Sequence, residues 1–197
     1  PLANGLESVS LSANWMWPCR NLGEDSRLYK AVEACSDFAC ALGINIPTGK
    51  DSLSMTQQYG DDKVFSPGTV IISAAAEVKN VRRIVSPVLA YIKGTYLYYI
   101  DFSFDTFKLG GSAFAQTLGK IGDEAPTVTD PEYFKNAFAA VQELVNRGLI
   151  LAGHDISAGG MATTLLEMCF ANPRGGIEAH LDKIRHADLI KILFSEN

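Results

Sequence analysis

The sequence predicts the α/β (α+β) class, in which helices and strands alternate along a chain of 197 residues. Apolar residues recur at helical spacing in several separate stretches, and short runs rich in β-branched residues lie between them. Glycine, or Asp followed by Pro, stands where one pattern gives way to the next. Strands that alternate with helices are typical of α/β and α+β folds, so we expect one of these architectures.

The helical patterns come with recognisable start and stop residues. They cover residues 25–42, 112–118, 131–147, 158–171 and 187–193. Gly43 stops the first helix and Gly148 stops the third, as glycine commonly does at a helix C-terminus. Asp130 followed by Pro131 supplies an N-cap and a proline at the first helical position, which together predict a firm helix start.

Apolar and β-branched runs predict strands between these helices. They cover residues 44–55, 69–78, 96–102, 149–153 and 177–181. Pro47 and Gly49 in the first run indicate an edge strand, a bulge or a turn. A polar connector after the second run predicts a domain boundary near residues 79–90. The chain begins without Met and ends at residues 193–197 where another strand is expected, so we expect a piece cut from a longer protein.

Composition fits a globular protein and argues against several function classes. Hydrophobic residues make up 47% and charged residues 20% of the chain, which are ordinary values. The net charge of −5 argues against a bulk nucleic-acid binder, because such proteins carry a basic surface. No apolar run approaches the ~20 residues of a membrane span, and the N-terminus does not resemble a signal peptide. We therefore expect a cytoplasmic protein with neither a nucleic-acid nor a membrane partner.

The segment from Leu149 to Gly160 carries the strongest functional signal. An apolar run, expected to be buried, ends on His154 and Asp155 and continues through Ser157 and two glycines into a helix. The amides at a helix N-terminus favour an anion such as phosphate, and Mg²⁺ is often held by one or two carboxylates together with phosphate oxygens. Asp155 is therefore a candidate Mg²⁺ ligand. An N-cap role for Asp155 in the helix 158–171 is equally open and compatible with metal binding.

A second candidate site is the segment Gly49-Lys50-Asp51-Ser52. It is not a Walker A motif, because Gly43 lies one residue too far away and Asp51 stands where Ser or Thr must bind Mg²⁺. The positive charge of Lys50 suits contact with a phosphate. The carboxylate of Asp51 suits a metal ion or a hydroxyl group. A turn with a surface ion pair explains the same residues, and both interpretations remain open.

Other constellations give weaker signals. A third glycine turn, residues 110–112, fits an anion site and helix–strand packing equally well. The chain has only three histidines, at positions 154, 180 and 186, in settings that do not predict a multi-histidine zinc site. A serine hydrolase is not expected either, because the Gly-x-Ser-x-Gly elbow is missing. Trp15 and Trp17 are expected to serve packing or an interface, and Cys35 and Cys169 to be small buried apolar groups.

Taken together, the motifs resemble the large form of the phosphoribosylformylglycinamidine synthase family. The matching segments are residues 12–16, 49–55, 110–112, 153–160 and 164–168, in the family's order. The resemblance implies a piece of the second repeat similar to aminoimidazole ribonucleotide synthase (AIR synthase). Residues 1–86 would be the C-terminal part of an AIR-synthase-like N-terminal domain, and residues 87–197 a truncated AIR-synthase-like C-terminal domain.

The resemblance implies an ATP- and glutamine-dependent ligase of purine biosynthesis. In that family ATP phosphorylates the amide oxygen of formylglycinamide ribonucleotide, and ammonia released from glutamine in a separate glutaminase domain displaces the phosphate. The implied cofactors are Mg²⁺ and ATP or ADP. The implied partners are the first synthetase repeat and the glutaminase domain. The family's catalytic His and Cys lie outside this chain, so the isolated chain is expected to be inactive.

The same resemblance assigns roles residue by residue. It implies that Asp155 is a Mg²⁺ ligand and that Ser157 is a nucleotide contact. Residues 50–52 (Lys50, Asp51 and Ser52) match a family motif and are taken as further nucleotide-site candidates without an assigned role. Ala158 stands where many members are more acidic. Two alternatives stay open, namely a structural, non-catalytic nucleotide-binding half of that enzyme, or another ATP-dependent kinase or synthase of the AIR synthase superfamily.

Overall fold

The computed structural model describes residues 1–172, 174–184 and 188–197. Its contacts divide the chain into two compact units, Leu2–Lys79 and Asn80–Asn197, the second of which also includes Pro1. His186 and the predicted helix start at Ala187 lie outside the described residues. The domain limit placed between residues 86 and 87 stays a prediction. None of the helices within the described ranges is both long and apolar enough to cross a membrane.

The unit Leu2–Lys79 is built around a three-stranded sheet. Its elements are β1 (Val9–Met16), α1 (Glu24–Leu42), β2 (Asn45–Ser52), β3 (Thr56–Tyr59), β4 (Asp62–Phe65) and β5 (Thr69–Ala76). β1 is central, with β2 parallel to it on one side and β5 antiparallel on the other. α1 supplies the crossover that a parallel pair requires, and β3 pairs with β4 as a hairpin before β5.

The helix predicted over residues 25–42 is confirmed as α1, which ends at Gly43 with a φ of 74°. The edge position predicted for the segment around Pro47 is confirmed, because β2 is an outer strand of the sheet. The pairing of β1 with β2 also shifts register between Ser10 and Ser12. β1 and the β3–β4 hairpin are not among the predicted strands. The apolar residues of β1 alternate with small polar ones from Val9 to Trp15, which is the period-two pattern of a half-buried strand and was available in the sequence. β4 is short and its side chains are all exposed, so it gives no such signal.

The unit Asn80–Asn197 is described by its helices. They are α2 (Ala113–Thr117), α3 (Pro131–Asn146), α4 (Gly160–Phe170) and α5 (Leu189–Phe194). Ser112 caps α2 by accepting the Ala115 amide, and Asp130 caps α3 by accepting the Glu132 and Tyr133 amides. The predicted helix starts at these two caps are confirmed, because a local side-chain contact determines each of them.

The three strands predicted over residues 96–102, 149–153 and 177–181 are wrong. The described part of this unit contains no strand ladder. The apolar run before His154 is not buried either, since Leu149 and Leu151 are 56% and 51% exposed. An apolar run becomes a strand only when a neighbouring backbone pairs with it, and no described segment of this unit does so. Cys35 and Cys169 are half-buried rather than buried.

Candidate functional site

Residues 153–159 form an irregular loop that leads into α4. The Asp155 side chain is 83% exposed, and Ser157 is also exposed. Both are therefore accessible to a ligand from solvent. Gly159 is the N-cap of α4, with a left-handed backbone and no side-chain cap. The alternative that Asp155 caps this helix is wrong, because the residue lies too far before the first helical turn.

His154 ties the start of this loop to α4. Its Nε2 lies 2.9 Å from Oε2 of Glu167, and its Nδ1 lies 2.9 Å from the carbonyl oxygen and 3.2 Å from Oδ1 of Asp155. The Thr164 hydroxyl donates a hydrogen bond of 3.0 Å to the same Asp155 carbonyl oxygen. Both ring nitrogens of His154 thus lie close to acceptor oxygens. The backbone of Asp155 is thus held by two side chains.

Gly159 and Gly160, at the start of α4, are required by their backbone conformation and by packing. Gly160 has a φ of 69°, and a Cβ built on it would lie 2.6 Å from the Leu193 carbonyl oxygen and from Cα of Phe194. Gly159 has a φ of 92°, and its Cβ would lie 2.1 Å from Oγ1 of Thr163. Both positions therefore need glycine whether or not a phosphate binds nearby.

The backbone amides of Gly159 and Gly160, at the start of α4, are not available to an external anion. The Gly159 N–H donates to Oε1 of Glu196 at 2.9 Å, and the Gly160 N–H donates to the Ser157 carbonyl oxygen at 2.9 Å. The same Glu196 oxygen accepts the N–H of Ala113, the first residue of α2, at 2.8 Å. The two glycine turns for which the sequence suggested an anion thus meet one internal carboxylate. Glu196 lies outside the predicted site motifs and is distant in sequence from both turns.

The turn at residues 110–112 is explained by packing rather than by a ligand. A Cβ on Gly110 would lie 2.3 Å from the Glu124 carbonyl oxygen. The buried Ser112 hydroxyl donates to the Leu109 carbonyl oxygen at 2.7 Å and accepts the Ala115 amide at 3.1 Å. The packing interpretation is favoured. The backbone that packs against Gly110 belongs to the segment around Glu124 and not to a strand.

Lys50, Asp51 and Ser52 end the edge strand β2 of the other unit. Lys50 and Asp51 are exposed and Ser52 is half-buried. Strand alternation places Lys50 and Ser52 on one face and Asp51 on the other, so one ligand cannot meet all three side chains on the same face. The interpretation as a turn with an ion pair is wrong, because the segment is a strand and Lys50 and Asp51 form no ion pair in the described structure. Gly49 is required, since its Cβ would lie 2.1 Å from the Ala13 carbonyl oxygen.

The exposed loop fits a cation that is held only in part by protein. Within the described ranges, no three His, Cys, Asp or Glu side chains gather in a way that could hold a metal ion by themselves. Asp155 offers one exposed carboxylate, a hard oxygen donor. Mg²⁺ commonly takes one or two carboxylates and completes its shell with phosphate oxygens and water. The donor at Asp155 therefore fits Mg²⁺ in company with a nucleotide.

A partly buried ion pair stabilises the segment before α2. Lys108 Nζ lies 2.7 Å from Oδ2 of Asp105, whose side chain is only 9% exposed. The hydrogen bond from Lys108 lowers the pKa of the Asp105 carboxyl below its ordinary value, with further help from the Thr106 and Thr127 amides and against the effect of burial. Burial, Asp101 and Tyr133 raise the pKa of Tyr99 to about 12. These groups support the fold and lie outside the loop of Asp155.

Comparison of the fold with solved structures gives its class. The "Structure of PurLQS from Thermotoga maritima" matches 98% of this chain at a TM-score of 0.59 and 19% identity. "T. maritima PurL complexed with ATP" matches 98% at a TM-score of 0.55 and 17% identity. Each match spans 29% of the solved chain. The mixed α/β class and the AIR-synthase-like fold are confirmed.

Sequence comparison then gives the family. Residues 2–77 match the FGAR-AT PurM_N-like domain, and residues 105–197 match the AIR synthase related protein, C-terminal domain. The chain is 40% identical to a "Probable phosphoribosylformylglycinamidine synthase, chloroplastic/mitochondrial" of Arabidopsis thaliana over 97% of its length. It is 37% identical to the Homo sapiens "Phosphoribosylformylglycinamidine synthase" over 99% of its length. It spans 14% of each relative. The resemblance to the phosphoribosylformylglycinamidine synthase family is confirmed.

Proposed function

We propose that this chain is part of an ATP- and glutamine-dependent phosphoribosylformylglycinamidine synthase. The whole enzyme would convert formylglycinamide ribonucleotide to formylglycinamidine ribonucleotide. The supporting observation is the identity of 40% and 37%, over nearly the whole chain, to two proteins that bear this name. Because the chain spans only 14% of those relatives, we propose the first synthetase repeat and the glutaminase domain as its partners. The cytoplasm is proposed as its location, without support from these comparisons. The isolated chain would be inactive.

We further propose that Asp155 and Ser157 contribute to a site for Mg²⁺ and ATP or ADP. The exposed Asp155 carboxylate would bind the cation, and the exposed Ser157 hydroxyl would contact the nucleotide. Bound Mg²⁺ would offset the charge of the phosphates. His154 and Thr164 would keep the Asp155 backbone in place through their contacts with its carbonyl oxygen. Lys50, Asp51 and Ser52 are proposed separately, as nucleotide contacts within the unit Leu2–Lys79. Lys50 would supply a positive charge to a phosphate from the face of β2 that it shares with Ser52, and Asp51 would act from the opposite face.

The proposal is tested by ADP release from the full-length protein that carries this chain. Formylglycinamide ribonucleotide and glutamine are supplied together and then omitted in turn. Release that depends on both substrates supports the amidotransferase. Release indifferent to both would contradict it and would favour another ATP-dependent kinase or synthase of the superfamily.

A structural role for the nucleotide is a second candidate function, and one observation favours it. The Ala113 and Gly159 amides already donate to Glu196, so these two helix starts offer no free first amide to a phosphoryl group in transfer. These amides would therefore not stabilise charge that develops in phosphoryl transfer, and a nucleotide held by Asp155 and Ser157 would serve the fold. Under this alternative, Asp155→Ala in the full-length protein lowers the melting temperature and leaves turnover nearly intact. Loss of turnover in a fully folded Asp155→Ala variant would exclude it.

A further inference from the structure

We propose that Glu196 is a positioning residue for the loop that carries Asp155 and Ser157. The role rests on the nucleotide function proposed above. One oxygen, Oε1, accepts the amides of Ala113 at 2.8 Å and of Gly159 at 2.9 Å. Hydrogen bonds to a carboxylate are stronger than those to a neutral acceptor. The negative charge also lies at the N-terminus of α4, where the helix dipole favours it.

The loop is held at both of its ends. At the first end, His154 and Thr164 contact the Asp155 carbonyl oxygen. At the second end, the Gly159 amide is bound by Glu196. Asp155 and Ser157 lie between these two anchors and are exposed. Removal of the second anchor would therefore free the backbone beside Ser157 while the first anchor persists.

The Glu196 carboxylate is itself fixed by its neighbours along the chain. The Ser195 hydroxyl accepts the Lys108 amide at 3.0 Å and donates to the Lys108 carbonyl oxygen at 2.7 Å. The Asn197 amide group donates to Oγ of Ser103 at 3.1 Å. The close approach of Gly160 to Phe194 brings the end of α5 against the start of α4. Glu196 thus reaches the loop from a rigid support.

The test compares Glu196→Ala and Glu196→Gln in the full-length protein, with calorimetric titration of ADP in the presence of Mg²⁺. Loss of a charge-assisted acceptor predicts a fall in ADP affinity of about tenfold for Glu196→Ala. Glu196→Gln keeps a neutral acceptor and should lose only about two- to fivefold. Amide hydrogen exchange in residues 155–160 should also rise, and it should rise more in Glu196→Ala than in Glu196→Gln. Exchange in α3 should stay unchanged.

Glu132→Ala is the matched control, because it removes an exposed carboxylate of the same unit, whose ion partner among the described residues is Lys135. It should change neither ADP affinity nor exchange in the loop. ADP affinity within twofold of the parent in both Glu196 variants would overturn the role of Glu196. If Glu196→Ala does not fold, the role of Glu196 is tested with Glu196→Gln alone, by ADP titration and by amide hydrogen exchange. Failure of the unsubstituted protein to bind ADP with Mg²⁺ would instead overturn the nucleotide function on which the role rests.

Discussion

The Nε2 atom of His154 lies 2.9 Å from Oε2 of Glu167, and this contact fastens the Asp155 loop to the middle of α4. The His154 side chain is 17% exposed and that of Glu167 is 42% exposed. Both residues fall in segments that the sequence analysis singled out, yet the pairing between them joins two separate motifs. Glu167 therefore supports the orientation of the ring that contacts the Asp155 carbonyl oxygen.

Replacement of Glu167 by Gln should lower the free energy of unfolding by less than about 1 kcal/mol, because the pair is partly exposed to solvent. Urea unfolding of the full-length protein measures the change. Glu178→Gln is the control, since Glu178 lies 3.7 Å from His180 and both side chains are exposed. It should have no effect. Equal effects of the two substitutions would show that the His154–Glu167 contact adds no stability.

Local signals predicted the helices of this chain, and apolar runs predicted β2 and β5. The strands expected in the unit Asn80–Asn197 would have needed paired backbones, which a sequence does not reveal. Asp130 followed by Pro131 determines a helix start through contacts within one turn, and α3 begins there. Leu149 and Leu151 satisfy the pattern of a buried strand but find no paired backbone. The exposed loop of Asp155 follows from its polar sequence. The hydrogen bond from the Gly159 amide, at the start of α4, to Glu196 is a tertiary contact that local sequence does not predict.

Gly160 should not tolerate a side chain. Gly160→Ala would place a Cβ 2.6 Å from Cα of Phe194 at a φ of 69°, so both steric overlap and backbone strain oppose it. We expect a loss of about 1–3 kcal/mol or more in the free energy of unfolding, measured by urea denaturation. Gly176→Ala is the control, because its Cβ meets nothing within 4 Å and its φ is not positive. A Gly160→Ala protein as stable as Gly176→Ala would contradict the close packing of α4 on α5.

The Asp105–Lys108 pair should make stability depend on acid pH. The folded-state pKa of Asp105 lies below its ordinary value of 3.8, so the folded protein binds this proton less readily than the unfolded chain. The contribution is therefore present above about pH 4 and is lost as the pH falls through the folded-state pKa. Asp105→Asn should reduce the free energy of unfolding at pH 7 and matter less near pH 3. Asp123→Asn, at an exposed position, is the control. A loss for Asp105→Asn that is as large near pH 3 as at pH 7 would contradict this linkage.

Ser157→Ala separates ligand contact from support of the fold. The exposed Ser157 side chain should contribute little to folding, while its carbonyl oxygen still accepts the Gly160 amide at 2.9 Å in the variant. Loss of one hydrogen bond to the nucleotide, about 1 kcal/mol, should weaken ADP binding about fivefold with little change in urea unfolding. Ser36→Ala, on the exposed surface of α1, should leave affinity unchanged. If Ser157→Ala binds ADP as tightly as Ser36→Ala, the hydroxyl does not contact the nucleotide, and Asp155 alone would remain as a candidate ligand in this loop.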